Sequence, residues 1–449
     1  MNRLASCRTR GRKMIDEYAE RRTRFTAQLN GGIAIIPAAR QAVRNADTEY
    51  PFRQNSDFFY LTGWPEPDAV LLLVPREDTY VSILFVRPRH RESEIWTGRR
   101  LGPEGALDAF GADEAYNIEE FATRLPALLV GCRNAFYDLG HDDAMDRIIL
   151  SAVREARNKV RRGGWAPHQF TAPGSILHEL RLFKSAHELA TMRRAAAITA
   201  AGFARGLEHS KPGIYEYQLQ GLIEAEYRDR GAQALAYSSI VAAGANATIL
   251  HYTNNSELLR DGELVLVDSG CELDNYASDV TRTWPVNGHF STEQRALYEI
   301  VALAQREAIA HVRAGTSFRA YHQAAVRVIT NGLVELGILQ GGVDELIERE
   351  AYRPFYMHST GHWLGLDVHD AGAYTLGKEY RLLEPGMVLT VEPGIYIQPD
   401  ADCDPRFRGI GIRIEDDILV TSDAPENLTA AIPRDPDELE ARIGKASSA

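Results

Sequence analysis

The sequence is poor in cysteine. Cys7, Cys132, Cys271 and Cys403 stand far apart in 449 residues and form no CxxC pair. That scarcity fits neither a disulfide framework nor a zinc knuckle, and points to reduced thiols in a cytoplasm. Long apolar runs are missing too. The strongest, GGIAIIPAA and AVLLLVP, fall well short of the ~20 residues that cross a bilayer. The basic start, MNRLASCRTRGRK, lacks the apolar core of a secretory signal, so a short disordered extension over 1–14 is expected. Positive charge is in deficit. Lys and Arg number 50 against 62 Asp and Glu, and the resulting −12 argues against nucleic acid or an anionic membrane as a partner. The rest is ordinary for a soluble globular protein, with 45% hydrophobic and 25% charged residues and enough length for two domains.

Apolar spacing divides the chain. Over 15–175, a helix at 15–29 closed by Gly31 and Gly32 precedes strand-like runs at 33–36, 69–74, 80–86 and 135–139, with helices near 118–130 and 144–160. This reads as an α/β domain, a sheet covered by helices. RRGGWAPHQFTAPGS, residues 161–175, is rich in Gly and Pro and is the expected linker. An α+β domain is expected over 176–449. Ser185 and Glu188 form a capping box opening a long helix, another helix covers 215–230, and helices at 292–313 and 318–336 are set among short strands.

In this second part, apolar runs end in acids: LVLVDSG at Asp268, MVLTVEPG at Glu392 and IGIRIEDD at Glu415. Asp279 follows Asp268 closely. A turn at 273–276 would run two strands back to back and set Asp268 and Asp279 on one face, roughly 5–8 Å apart at Cβ. A single acid after a strand is ordinarily a turn former or a cap. Four on apolar strands are harder to dismiss, because carboxylates so close repel one another unless a proton or a cation lies between them.

The histidines decide between carboxylate chemistries. His251, and His358, His362 and His369 of HSTGHWLGLDVHD, lie in informative places, whereas His289, His311 and His322 read as core or surface residues. His358 and His362 have the spacing of a zincin helix. Ser359 replaces its Glu, however, and Gly361 and Gly365 disfavour a helix. One imidazole with four carboxylates suits Mn²⁺, Co²⁺, Fe²⁺ or Zn²⁺, and two ions rather than one.

Asp268, Asp279, His362, Glu392 and Glu415, in the contexts VDSG, ASDVTRT, HSTGHWLGLDVHD, TVEPGIY and GIRIEDD, resemble the five metal ligands of the pita-bread metallopeptidases. DTEYPFRQNSDFFYLTGWPEPDA and EIWTGRRLG resemble the aminopeptidase P branch of that family, and the resemblance runs from about Tyr18 to the C-terminus. It implies an N-terminal creatinase-like α/β domain, then a pita-bread catalytic domain. It also implies an exopeptidase that releases the first residue of peptides whose second residue is proline, with two divalent ions per chain, usually Mn²⁺. Asp279 and Glu415 would bridge the ions, Asp268 would hold one, and His362 and Glu392 the other.

The expected chemistry is hydroxide attack on the first carbonyl, with His251 and His369 stabilising the oxyanion and Glu392 shuttling a proton. An Xaa-Pro bond has no N–H and a fixed φ, so recognition needs a pocket for the ring. By resemblance Tyr237, His358, Tyr396 and Arg413 line it. Asp47 and Trp96 would help to close the site, partly from a neighbouring subunit of a dimer or tetramer, although for Trp96 core packing is an equal reading. Two rivals remain: a prolidase confined to Xaa-Pro dipeptides, and a non-catalytic binding protein, against which five intact ligand positions argue.

Overall fold

The computed structural model describes residues 15–161 and 163–445. The extension expected over 1–14 lies outside them. The chain forms two compact units, Met1–Arg181 and Leu182–Ala449. The division falls later than 175/176 because helix Gly174–Leu182 straddles that point, and its Arg181 pairs with Asp57 at 2.7 Å inside the first unit.

The first unit is built on a mixed six-stranded sheet. Ile33–Pro37 lies centrally, antiparallel to Val70–Arg76 and parallel to Asn134–Phe136. Val70–Leu73 are at most 1% exposed, as expected of a strand covered on both faces. Thr79–Val86 returns through the two-residue turn at Glu77 and Asp78, and Glu114–Asn117 forms the far edge. Helices Phe121–Leu128 and Asp143–Lys159 contribute Leu125, Ile149 and Val153 to the core. The expected linker over 161–175 is partly structural, since Gln169–Thr171 pairs with Asn134–Phe136 as the other edge strand.

Three short helices here escape sequence periodicity: Ser56–Thr62, Arg91–Thr97 and Gly102–Phe110. Arg91–Thr97 buries no residue at all. Its Trp96 is 88% exposed, which overturns core packing as the reason for that side chain.

The second unit repeats one plan. Helices Ala186–His209 and Glu216–Asp229 precede an antiparallel sheet of Ile240–Ala243, Leu264–Asp268 and Thr281–Pro285. Helices Thr292–Ala310 and Phe318–Glu335 precede a second, of Val388–Val391, Asp416–Leu419 and Glu426–Asn427. Both helix pairs pack through small residues. A Cβ on Gly202 would lie 2.3 Å from Tyr227, and one on Gly332 would lie 2.6 Å from Ile300. The capping box expected at Ser185 and Glu188 is formed.

Arg282 and Asp416 join the two sheets. Both side chains are 0% exposed and meet at 2.7 Å. Asp416 also accepts from Gln305, Thr429 and Arg434, while Arg282 donates to the carbonyls of Glu415, Ile432 and Pro433. Removing one partner of such a pair strands a buried charge. Arg282→Met should therefore cost about 3–5 kcal/mol in urea unfolding. A loss below about 1 kcal/mol would show that the pair is not what holds the sheets together.

Candidate metal centre and active site

Strand endings deliver the acids. Asp268 is the last residue of Leu264–Asp268, where it pairs with Thr281, so Asp279 sits two residues along the opposing chain as a diagonal neighbour. The connection is not one long hairpin. Cys271–Leu273 and Tyr276–Ala277 turn back as a separate small ladder, leaving Asp279 between that ladder and strand Thr281–Pro285. Glu392 follows Val388–Val391. Glu415 lies between Gly411–Arg413 and Asp416–Leu419, with its amide donating to the Thr281 carbonyl.

His362 arrives on irregular chain, for no helix forms over 358–369. Thr390 clamps it, donating its amide to the His362 carbonyl at 2.9 Å and accepting the His362 amide on Oγ1 at 3.1 Å. The chains approach so closely that a Cβ on Gly361 would lie 1.9 Å from the Thr390 carbonyl oxygen. Gly270 is under the same constraint, 1.8 Å from the Ser278 carbonyl oxygen. Only glycine permits either approach.

Ligating atoms of Asp279, His362 and Glu415 all lie within 4.8 Å of one another. His362 Nε2 is 3.5 Å from Asp279 Oδ2 and 3.7 Å from Glu392 Oε1. The Tyr237 hydroxyl stands 2.5 Å from both Asp268 Oδ1 and Asp279 Oδ1. Arg413 binds Asp268 Oδ2 at 2.6 Å and also donates to the hydroxyls of Tyr396 and Thr281. Thr281 in turn donates to Glu415 Oε2 at 2.7 Å.

This donor set fits divalent cations. The Trp363 carbonyl, 3.0 Å from His362 Nδ1, accepts a hydrogen bond from that nitrogen, so in the neutral ring Nε2 carries the lone pair that faces the acids. Tyr237 has one proton for two short carboxylate contacts, so the cluster lacks positive charge. Burial pushes Glu392 up to about 7, against the pull of His362 and Arg413. It raises Glu415 well above the usual carboxylate range, helped by Asp279 and Glu392, and raises Asp268 despite Arg413. Burial alone would lower His362, but the hydrogen bond to Asp279 and the charge of Glu392 outweigh it and carry the imidazole to about 9. So much negative charge in one buried place, set against Arg413 and one imidazole, is what a divalent cation would offset.

A cavity of about 960 Å³ in the second unit opens on these groups. Tyr237, His251, His358, His369 and Arg413 line it, together with the apolar Leu250, Phe318, Val368 and Tyr380. Burial, then Arg413, holds His358 down to about 3, and burial, then His362, lowers His369, so both rings are neutral. Tyr396 departs from its expected place. It is 0% exposed and lies behind the wall, its hydroxyl 2.9 Å from His358 Nε2 and 3.0 Å from Arg413, because it belongs to the internal strand Gly394–Tyr396. Asp47 and Trp96 are exposed residues of the first unit. Thr281 was overlooked by sequence reading, although it shares the strand period of Asp279 and Thr283. Asp417, buried with Oδ2 accepting the Asp279 amide, was overlooked as well.

Comparison with known proteins shows the family. Residues 190–422 match metallopeptidase family M24, and residues 18–137 match the aminopeptidase P N-terminal domain. The chain is 47% identical to the Xaa-Pro aminopeptidase of Escherichia coli (strain K12), over 95% of this chain and 97% of that one. To Xaa-Pro aminopeptidase 3 of Homo sapiens it is 38% identical, over 89% and 78%. Pseudomonas aeruginosa aminopeptidase PepP superposes with a TM-score of 0.94 at 48% identity, covering 97% of this chain and 99% of that one. Zinc-substituted E. coli aminopeptidase P in complex with product superposes at 0.93 with 46% identity, covering 96% and 98%. The chain belongs to metallopeptidase family M24, its first unit an aminopeptidase P N-terminal domain and its second a pita-bread catalytic domain.

Proposed function

We propose that the protein is an Xaa-Pro aminopeptidase, which removes the first residue from peptides whose second residue is proline. The observation that carries this is the buried cluster of four carboxylates and His362 opening on the cavity, in a chain 47% identical to the E. coli enzyme. Asp268, Asp279, His362, Glu392 and Glu415 would hold two divalent ions, Mn²⁺ in our reading. Two ions balance four carboxylates, offset by Arg413, together with one hydroxide. When bound, such ions supply a nucleophile from water at neutral pH and polarise the scissile carbonyl.

The chain's own groups do the rest. Tyr237 and Arg413 hold Asp268 in place through its two oxygens. Asp268 also gives the substrate's free α-amine an anionic partner, which favours exopeptidase action. His251 and His369 donate to the oxygen that becomes negative in the transition state. Glu392, lining the cavity beside His362, is placed to take a proton and pass it to the leaving proline nitrogen. His358, its Nε2 tied to Tyr396, presents a neutral ring to the proline side of the cavity. Trp96, exposed on a helix that buries nothing, supports assembly as a homodimer or homotetramer that covers it. The free thiols Cys132, Cys271 and Cys403 suit a cytoplasmic setting.

The direct test strips the metal, restores Mn²⁺ and offers an Xaa-Pro-Yaa tripeptide beside an Xaa-Pro dipeptide. Mn²⁺-dependent release of Xaa from the tripeptide is expected. Cleavage confined to the dipeptide would instead make the protein a prolidase, and no cleavage of either would leave a binding protein. Asp279→Asn should abolish this hydrolysis and weaken metal binding with the fold retained, and a fully active variant would remove Asp279 from the ligand set.

Metal uptake should also release protons. His362 at about 9 and Glu392 at about 7 are at least half protonated without metal at pH 6.5, and both must lose that proton to ligate. Calorimetry in buffers of different ionisation enthalpy should find about one or more protons released per chain at pH 6.5. The release should diminish above pH 9, and a pH-independent heat would argue against this ligand set.

A further inference from the structure

The three histidines of 358–370 are held in different ways. His358 is tied through Nε2 to Tyr396 at 2.9 Å, and His362 through Nδ1 to the Trp363 carbonyl at 3.0 Å. Among the described residues, the His369 ring makes no hydrogen bond. It meets the His362 ring edge-on, with centroids 4.3 Å apart. Its direction therefore depends on the backbone that carries it, and that backbone is neither helix nor strand over 364–370.

The loop is anchored at the next residue. The Asp370 amide donates to the Trp363 carbonyl at 2.9 Å, and Asp370 Oδ2 lies 2.9 Å from Lys184 Nζ, with both side chains 1% exposed. Lys184 is itself fixed. Its amide donates to the Gly386 carbonyl at 2.9 Å, and Ser185 after it opens the capping box of helix Ala186–His209. The ion pair packs against Gly365, where a Cβ would stand 2.1 Å from Asp370 Oδ2 and 2.9 Å from Lys184 Cε. The chain doubles back there, and Gly365 accepts Ala277's amide two residues before Asp279. A desolvated ion pair is a costly way to secure a loop, and apolar packing could do it more cheaply. What the pair adds is a directional tie one residue from His369.

We propose that the Lys184–Asp370 ion pair is a positioning device for His369, aiming its imidazole into the cavity at the site of the developing oxyanion. Lys184 does not line the cavity and is not catalytic. The inference rests on reading His369 as an oxyanion donor. A misdirected donor is felt where charge develops, so the loss should fall on kcat and leave KM nearly unchanged.

The experiment is a double-mutant cycle on the Mn²⁺-loaded enzyme, following kcat, KM and bound metal. Lys184→Met should lower kcat about 30- to 100-fold in the wild-type background, but less than about 3-fold when His369→Ala is already present. Asp370→Asn, which keeps the shape of the pair, should follow the same pattern, and it carries the test if Lys184→Met does not fold. Equal losses in both backgrounds, an unchanged kcat, or loss of bound metal would each overturn the inference. If His369→Ala alone retains full kcat, the failure lies instead in the donor reading of His369, and the positioning role falls with it.

Discussion

Mutual repulsion among Asp268, Asp279, Glu392 and Glu415 is the constraint on which the second unit turns. Each acid is buried or nearly so, each comes from a different stretch of chain, and burial raises the pKa of Asp268, Glu392 and Glu415. An unpaired carboxylate in such a place would ordinarily select against the fold. Backbone pairing nonetheless forces the four together. Arg413 on Asp268, Tyr237 between Asp268 and Asp279, and Thr281 on Glu415 are partial compensation. The remaining deficit of positive charge is what gives the site its affinity for cations.

The surroundings are built to keep that strain from dispersing. Two residues beyond Asp268 and Glu392 stand Gly270 and Gly394, where a side chain would collide with the Ser278 carbonyl in the first case and with the Tyr396 ring and Ile412 carbonyl in the second. The acids therefore end their strands at points of closest chain approach, where little relaxation is available. Beneath them Arg282 and Asp416 satisfy each other with no exposure, so the residue next to Glu415 is committed to structure while Glu415 faces the cavity. Adjacent acids, Glu415 and Asp416, thus have opposite duties, the first facing the cavity and the second the buried Arg282.

The histidine segment works differently. It has no regular structure to impose direction, so each ring is oriented by what lies behind it: a tyrosine hydroxyl for His358, a carbonyl for His362, and an anchored loop for His369. Strands place the acids, and tertiary contacts aim the imidazoles. The acids tolerate this because a carboxylate offers two equivalent oxygens, whereas a neutral imidazole offers one lone pair that must point the right way.

That difference also explains what could be read from the chain alone. Period-two alternation made Leu264–Asp268 and the run to Glu415 legible as apolar strands ending in acids, and Gly361 and Gly365 argued correctly against a helix at His362. Short helices such as Arg91–Thr97 stayed hidden because one or two turns give too little periodicity to detect. Gln169–Thr171 was mistaken for linker because its order comes from a neighbouring strand rather than from its own composition. Tyr396 was placed in the cavity by likeness, but its strand register turns it inward. The sequence by itself determined the helix starts, the strand faces and the kinds of donor available, since these follow from local sterics and side-chain chemistry. Only the tertiary structure decided which donors meet, which are buried and which way each ring points, because those depend on contacts between separate segments, such as Tyr396 on His358, Arg413 on Asp268 and Lys184 on Asp370.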